Sequence, residues 1–193
     1  MIIRSLNCCN KAVLDAMIAS ASLGFINGLS SESKGFELDN YQNACDWAVS
    51  ELYLQQRITN DQLPNLEYRH NYVFSETTDA SFLIDTLAPL LHFEQVHTAG
   101  YCPFGFTGWH ADRHLQGWNI MMTYSPEAKG FFRYLDAQGN IITRYDTPGW
   151  NIFYSQINQH SWHCAQATSA RFTFLLYFPN QELCESAVNF IEN

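Results

Sequence analysis

The sequence predicts an α+β chain with a mainly β core and supporting helices at its N-terminal end. Three observations carry this. Val13, Leu14, Met17, Ile18 and Leu23 recur at helical spacing early in the chain. After Leu91 the texture changes to short apolar runs separated by turn residues. Aromatic residues are dense, with 14 Phe, 10 Tyr and 5 Trp among 193 residues. Large flat side chains at that density favour β-rich sheets with well-lined pockets. A hydrophobic fraction of 47% against 15% charged residues supplies a sizeable core and argues against disorder.

Taken in order, a first helix spans about Lys11 to Ile26. Gly28 to Gly35, reading GLSSESKG, has the composition of a loop. Asp39 is a candidate cap for a second helix reaching about Arg57. Its stripe of Ala44, Trp47, Ala48, Leu52 and Leu54 is core material. Asp61 to Asn65, with Pro64, breaks that helix, and a further one spans Asp79 to Leu91. Six strands follow: Phe93–Thr98, Trp118–Tyr124, Phe131–Leu135, Ile141–Tyr145, Trp150–Tyr154 and Phe172–Phe178. Turns at Tyr124–Pro126, Asp136–Asn140 and Thr147–Gly149 part them. Many short strands in one block suggest a sandwich, barrel or jelly roll. No linker interrupts the chain. One domain over 1–193 is expected, with mainly helical support in 1–91, the strand-rich core in 92–180 and a C-terminal tail in 181–193.

The net charge of −9 repels phosphate backbones and anionic lipid, and no Lys/Arg cluster offers a local exception. Nucleic acid is therefore an unfavoured partner. The six cysteines form no CxxC pair, so a structural zinc site is not expected. They read as ordinary thiols in a reducing compartment. No signal-peptide h-region and no long apolar run is present, so a cytoplasmic protein is expected.

Chemistry concentrates in Gly108 to His114, GWHADRH. His110 and Asp112 stand two apart, and residues i and i+2 of a strand share a face. An imidazole nitrogen and a carboxylate oxygen would converge there. That is two-thirds of a 2-His-1-carboxylate site. Alone, an H-x-D is equally well a surface turn. His163 lies in SWHCAQ, and Arg171 follows eight residues later at the start of ARFTFLLYF. The intervening Ala-Thr-Ser-Ala can turn the chain, which would set the two on adjacent antiparallel strands. Arg171 could reach solvent as a strand-end charge. Facing inward, it needs an anionic partner, and a dicarboxylate cosubstrate would supply one. Thr173 shares its face and could donate a further hydrogen bond.

H-x-D, a gap of about fifty residues, then His and R-x-S/T on the last strands, resembles the Fe(II)/2-oxoglutarate-dependent oxygenases. The resemblance covers about Phe93 to Pro179. AGYCPFGFTGWHAD, GFFRYLDAQGNIITRYDTPGWNIFYSQ and RFTFLLYF are similar to the prolyl-hydroxylase branch. The resemblance implies a double-stranded β-helix (jelly roll) with the N-terminal helices packed on one sheet. It implies that His110, Asp112 and His163 hold iron, and that Arg171, Thr173, Tyr124 and Tyr101 serve 2-oxoglutarate. Fe(II), 2-oxoglutarate and molecular oxygen are the implied cofactors, with ascorbate a further candidate. The implied activity is a dioxygenase (hydroxylase), and Asp112 at the carboxylate position argues for hydroxylation or demethylation.

The pattern departs in one interval. His163 stands closer to Arg171 than the family pattern, and His160 slightly farther. His163 is preferred, because Trp-His-Cys-Ala reads as a strand and Gln-His-Ser as the loop before it. His114 would strain a facial arrangement. His70, His92 and His97 read as structural or exposed. Trp109, Arg113, Trp118, Phe131 and Arg133 are candidates for the substrate entrance, though each is as easily core or surface. A peptide or amino-acid side chain is the favoured substrate. The alternatives are an AlkB-like nucleic-acid demethylase and a jelly-roll module that binds a ligand without turnover.

Overall fold

The computed structural model describes residues 1–26, 31–60, 62–70, 80–113 and 116–193. The chain opens on β1 (Ile2–Leu6) and α1 (Lys11–Ile26). Asn10 caps α1, its Oδ1 accepting from the backbone N–H of Ala12 at 3.1 Å and of Val13 at 3.4 Å. The expected loop around Gly28 to Gly35 instead contains β2 (Ser31–Lys34), which pairs antiparallel with β3 (Glu67–His70). Both strands are polar, which is why composition alone reads β2 as loop.

The expected single helix after Asp39 is divided. A 3-10 turn (Leu38–Asn40) takes in Asp39, and α2 (Tyr41–Ala48) and α3 (Glu51–Thr59) follow. Ser50 causes the break. Its hydroxyl accepts from Tyr53 N at 3.1 Å, capping α3, and donates to Trp47 O at 2.7 Å, ending α2. The bend splits the apolar stripe. Ala48 and Leu54 are fully buried, while Trp47 and Leu52 are exposed. α4 spans Ala80–Leu91, and its expected first residue Asp79 lies outside the described residues.

Eight further strands complete the β framework: β4 (Gln95–Tyr101), β5 (Gly105–His110), β6 (Gly117–Ser125), β7 (Gly130–Leu135), β8 (Ile141–Tyr145), β9 (Gly149–Ile157), β10 (His163–Ala167) and β11 (Arg171–Phe178). They form two antiparallel sheets. One runs β1-β9-β6-β11-β4 and the other β5-β10-β7-β8. β3 joins them, pairing β4 at His70↔Gly100 and β5 at Glu67↔Thr107. The end strands β1 and β8 share no backbone ladder, but Arg144 crosses the gap. Its Nη1 donates to Ser5 Oγ at 2.9 Å and its Nη2 to Ile3 O at 3.4 Å.

The expected C-terminal tail is a helix, α5 (Gln181–Glu192). Asn180 caps it, and Cys184, Ala187, Val188 and Ile191 make its buried stripe. With α1 and α4 it covers the outer face of the first sheet, against Ile120, Met122, Phe174 and Leu176. α2 and α3 cover the second sheet, where Cys45, Ala48 and Leu54 meet Phe106, Trp109 and Cys164. A third cluster lies between the sheets and includes Tyr101, Met121, Phe132 and Phe153. All six cysteines are free thiols. No described helix is long and apolar enough to cross a membrane.

Candidate metal centre and its cavity

His110 is the last residue of β5, and Asp112 stands just beyond the strand end rather than on it. His163 opens β10 and is the register partner of His110 in the antiparallel ladder. The pairing is irregular between His163 and Ala165. The two imidazole rings come to 4.2 Å between centroids. Asp112 closes the group, with Oδ1 3.6 Å from His110 Nε2 and Oδ2 3.3 Å from His163 Nε2. One ligand atom from each residue lies within 4.8 Å of the other two.

Both histidines are oriented in the same way. Each Nδ1 is 2.8 Å from the carbonyl two residues earlier, Gly108 O for His110 and Ser161 O for His163. Donation there leaves each Nε2 facing the carboxylate, as metal-ligating imidazoles are commonly held. The electrostatics differ between the pair. Burial, with the charge of His163 beside it, pushes His110 down to about 4 despite Asp112. Burial also disfavours charge on His163, but the hydrogen bond and charge of Asp112 outweigh it and hold His163 above its ordinary value. Asp112 thus favours the protonated form of His163, while burial favours the neutral form of His110. His160 is exposed in the turn before β10, beside Gln159, and is not part of the group. His114 lies outside the described residues.

The group opens into a cavity of about 350 Å³ that Arg171, Thr173 and Tyr101 also line. The expectation that His163 and Arg171 sit on adjacent strands is incorrect. β10 pairs with β5 and β7, whereas β11 pairs with β4 and β6. Ala167 to Ala170 carries the chain from one sheet to the other, so the two residues face each other across the interior.

The anionic partner expected for Arg171 is already present in the chain. Its Nε donates to Asp146 Oδ2 at 2.9 Å, with both side chains almost wholly buried. Its Nη1 donates to Thr173 Oγ1 at 3.2 Å, and Thr173 Oγ1 lies 3.0 Å from Thr123 Oγ1. Its Nη2 is buried with no hydrogen-bond partner among the described residues. Gly130 makes the pair possible. A Cβ there would collide with Asp146 Oδ2 and would meet Arg171 Cδ at 3.1 Å. Tyr101 lies under the guanidinium, 5.2 Å from Cζ to ring centroid, with its hydroxyl 3.2 Å from Thr107 Oγ1.

Tyr124 does not join this site. β6 alternates, so Met121 faces the cavity while Ile120, Met122 and Tyr124 face the helices. Tyr124 packs on Trp150 at 5.2 Å instead. The expected entrance residues also lie elsewhere. Trp109 is buried under α2 and α3, and Trp118 packs on Tyr154 at 5.6 Å. Arg133 donates to Val49 O at 3.0 Å and lies over Phe131. Arg113 follows Asp112 on the surface. The cavity wall unforeseen from sequence is Asn65, Glu67, Arg69 and His97. The available signal was the alternation Glu67-Tyr68-Arg69, which sets both charges on one face of β3.

No protein-family profile matches the chain, and no curated protein matches it. Several solved structures resemble it. A prolyl hydroxylase from Trichoplax adhaerens, in complex with a hypoxia-inducible-factor peptide fragment, is 11% identical at a TM-score of 0.43, covering 91% of this chain and 93% of that one. A Pseudomonas putida prolyl-4-hydroxylase is 15% identical at 0.37, covering 85% and 100%. The Drosophila melanogaster CENP-C cupin domain is 8% identical at 0.36, covering 84% and 94%.

Proposed function

We propose that the chain is an Fe(II)- and 2-oxoglutarate-dependent dioxygenase that hydroxylates a peptide or amino-acid side chain. The observation carrying this is one cavity with a His-Asp-His group on one sheet and a buried arginine, retaining an unpartnered Nη2, on the other. The donor set fits Fe(II). Two neutral imidazole nitrogens and one carboxylate bind it while leaving coordination positions open for cosubstrate and oxygen. A closed structural zinc site would need a fourth protein donor, which the group lacks among the described residues.

The chemistry a bound iron supplies is coupled oxidation: 2-oxoglutarate, O2 and a substrate C–H become succinate, CO2 and a C–OH. The chain's own residues bind and orient. Asp112 would neutralise part of the metal charge, and before metal binds it pairs with the His163 imidazole through Oδ2. Arg171 Nη2, with Thr173, receives the outer carboxylate of 2-oxoglutarate, while Asp146 fixes the guanidinium plane through Nε. Met121, Phe132 and Leu175 make the apolar wall that keeps water from the reacting atoms. Tyr101 braces Arg171 from below.

Because Asp146 already meets the Arg171 charge, a second reading exists, a jelly-roll module that binds metal and ligand without turnover. Succinate formation by purified protein with Fe(II), 2-oxoglutarate and air separates the two. Slow succinate production without added substrate is expected. Metal and 2-oxoglutarate binding with no succinate supports the module.

A further inference from the structure

The second cationic wall of the cavity is unused by the reaction as described. Arg69 and Glu67 share the cavity-facing side of β3. Glu67 is buried, its side chain 5% exposed, and its two oxygens are divided. Oε2 accepts from Arg69 Nε at 2.9 Å, and Oε1 lies 2.9 Å from Lys34 Nζ. Burial opposes a charge on Glu67, but Arg69 and Lys34 together hold it below the usual carboxylate range. The pair is therefore built and ionised.

Arg69 differs from Arg171 in one decisive respect. Each has a carboxylate of its own, but the Arg171 side chain is 1% exposed whereas that of Arg69 remains 24% exposed. Its hydrogen bond to the described residues is made by Nε, to Glu67. Asp112 of the metal group lies within electrostatic reach of the guanidinium, as does Tyr101. An anion held by Arg69 would thus stand beside the metal. Asn65 and His97 lie on the same wall and add further polar groups.

We propose that Arg69, fixed by Glu67, anchors a carboxylate of the primary substrate next to the metal group. This rests on the oxygenase reading, in which Arg171 is taken by 2-oxoglutarate. A guanidinium held by one nitrogen presents its remaining edge for paired hydrogen bonds to a planar carboxylate. The cavity is at the small end of ligand pockets, which suits a small acid or a single acidic side chain.

The test uses the whole chain loaded with Mn(II) in place of iron and saturated with 2-oxoglutarate. Acetyl-alanine and acetyl-glutamate amide are titrated calorimetrically against their neutral counterparts, acetyl-alanine amide and acetyl-glutamine amide. At least one acid binds about tenfold tighter than its amide. Which acid it is tells an α-carboxylate from a side-chain carboxylate. That advantage disappears in Arg69→Gln, survives in part in Arg69→Lys, and both variants bind 2-oxoglutarate within about twofold of the parent. Equal binding of acids and amides overturns the proposal, as does binding of neither or an advantage that survives Arg69→Gln. Loss of 2-oxoglutarate binding in Arg69→Gln also overturns it, making Arg69 the cosubstrate anchor. Thermal melting of both variants checks folding, and Arg69→Lys stands in if Arg69→Gln does not fold. If the parent binds no 2-oxoglutarate, the oxygenase reading falls. The acid-to-amide ratio without 2-oxoglutarate then still reports on Arg69.

Discussion

His163 and Arg171 each have a carboxylate partner, the half-buried Asp112 and the buried Asp146, and the partners behave differently when ligands arrive. Asp112 favours the protonated form of His163, so metal competes with a proton there, and the competition begins at a higher pH than at an ordinary imidazole. Metal affinity should fall about tenfold per pH unit below the His163 value, for one proton released per metal bound. It should steepen further near pH 4, where His110 also takes a proton. Calorimetric titration with Mn(II) between pH 7.5 and 5 measures the first slope, and a pH-independent affinity would contradict the assignment. Asp146 has no such exchange to make. Asp146→Asn leaves the Arg171 charge buried and unmatched, which should cost roughly 3–5 kcal/mol. Saturating 2-oxoglutarate should return part of that loss by mass action, seen as a larger ligand-induced rise in melting temperature than in the parent. Gly130→Ala should act on the same pair by pushing Asp146 aside, weakening 2-oxoglutarate binding while sparing metal. His110 and Asp112 were legible because their chemistry is local. Asp146 was not, because it reaches Arg171 across 25 residues with no motif to mark it.

Elements were readable where side chains repeat with a period that burial enforces. β6, β7, β8, β9 and β11 appear within a few residues of their expected bounds, since each is apolar and flanked by turn residues. β2 and β3 escaped notice because their stabilising contacts are ion pairs and backbone ladders rather than apolar burial. α5 escaped because its stripe uses small residues, Cys184 and Ala187, with only Val188 and Ile191 to signal it. The stripe is nonetheless core. Ile191→Ala should cost about 2–5 kcal/mol in chemical denaturation. Ser50→Ala removes the cap that starts α3 and should cost about 1 kcal/mol. Little change in either would mean that these helices contribute less than their packing implies.

At the scale of the molecule, the site depends on the chain changing sheets. Ala167 to Ala170 looked like a hairpin turn and is a crossover, so the metal group and Arg171 come from opposite walls. No local pattern encodes that. It follows from which strand each half finds as a neighbour, and β3 bridges the two. The sequence pattern anticipated the mainly β core and singled out His110, Asp112 and His163, which the fold gathers, while the cavity wall of Glu67 and Arg69 emerged only from the folded chain. Both walls are expected to act on one reaction. Its most direct measurement is succinate formation from 2-oxoglutarate by the parent, Asp112→Ala and Arg171→Ala proteins under Fe(II) and air, with metal binding measured alongside. Turnover is expected in the parent alone, with metal loss in Asp112→Ala and, in Arg171→Ala, retained metal but lost 2-oxoglutarate binding. Succinate formed at the parental rate by either variant would contradict that expectation.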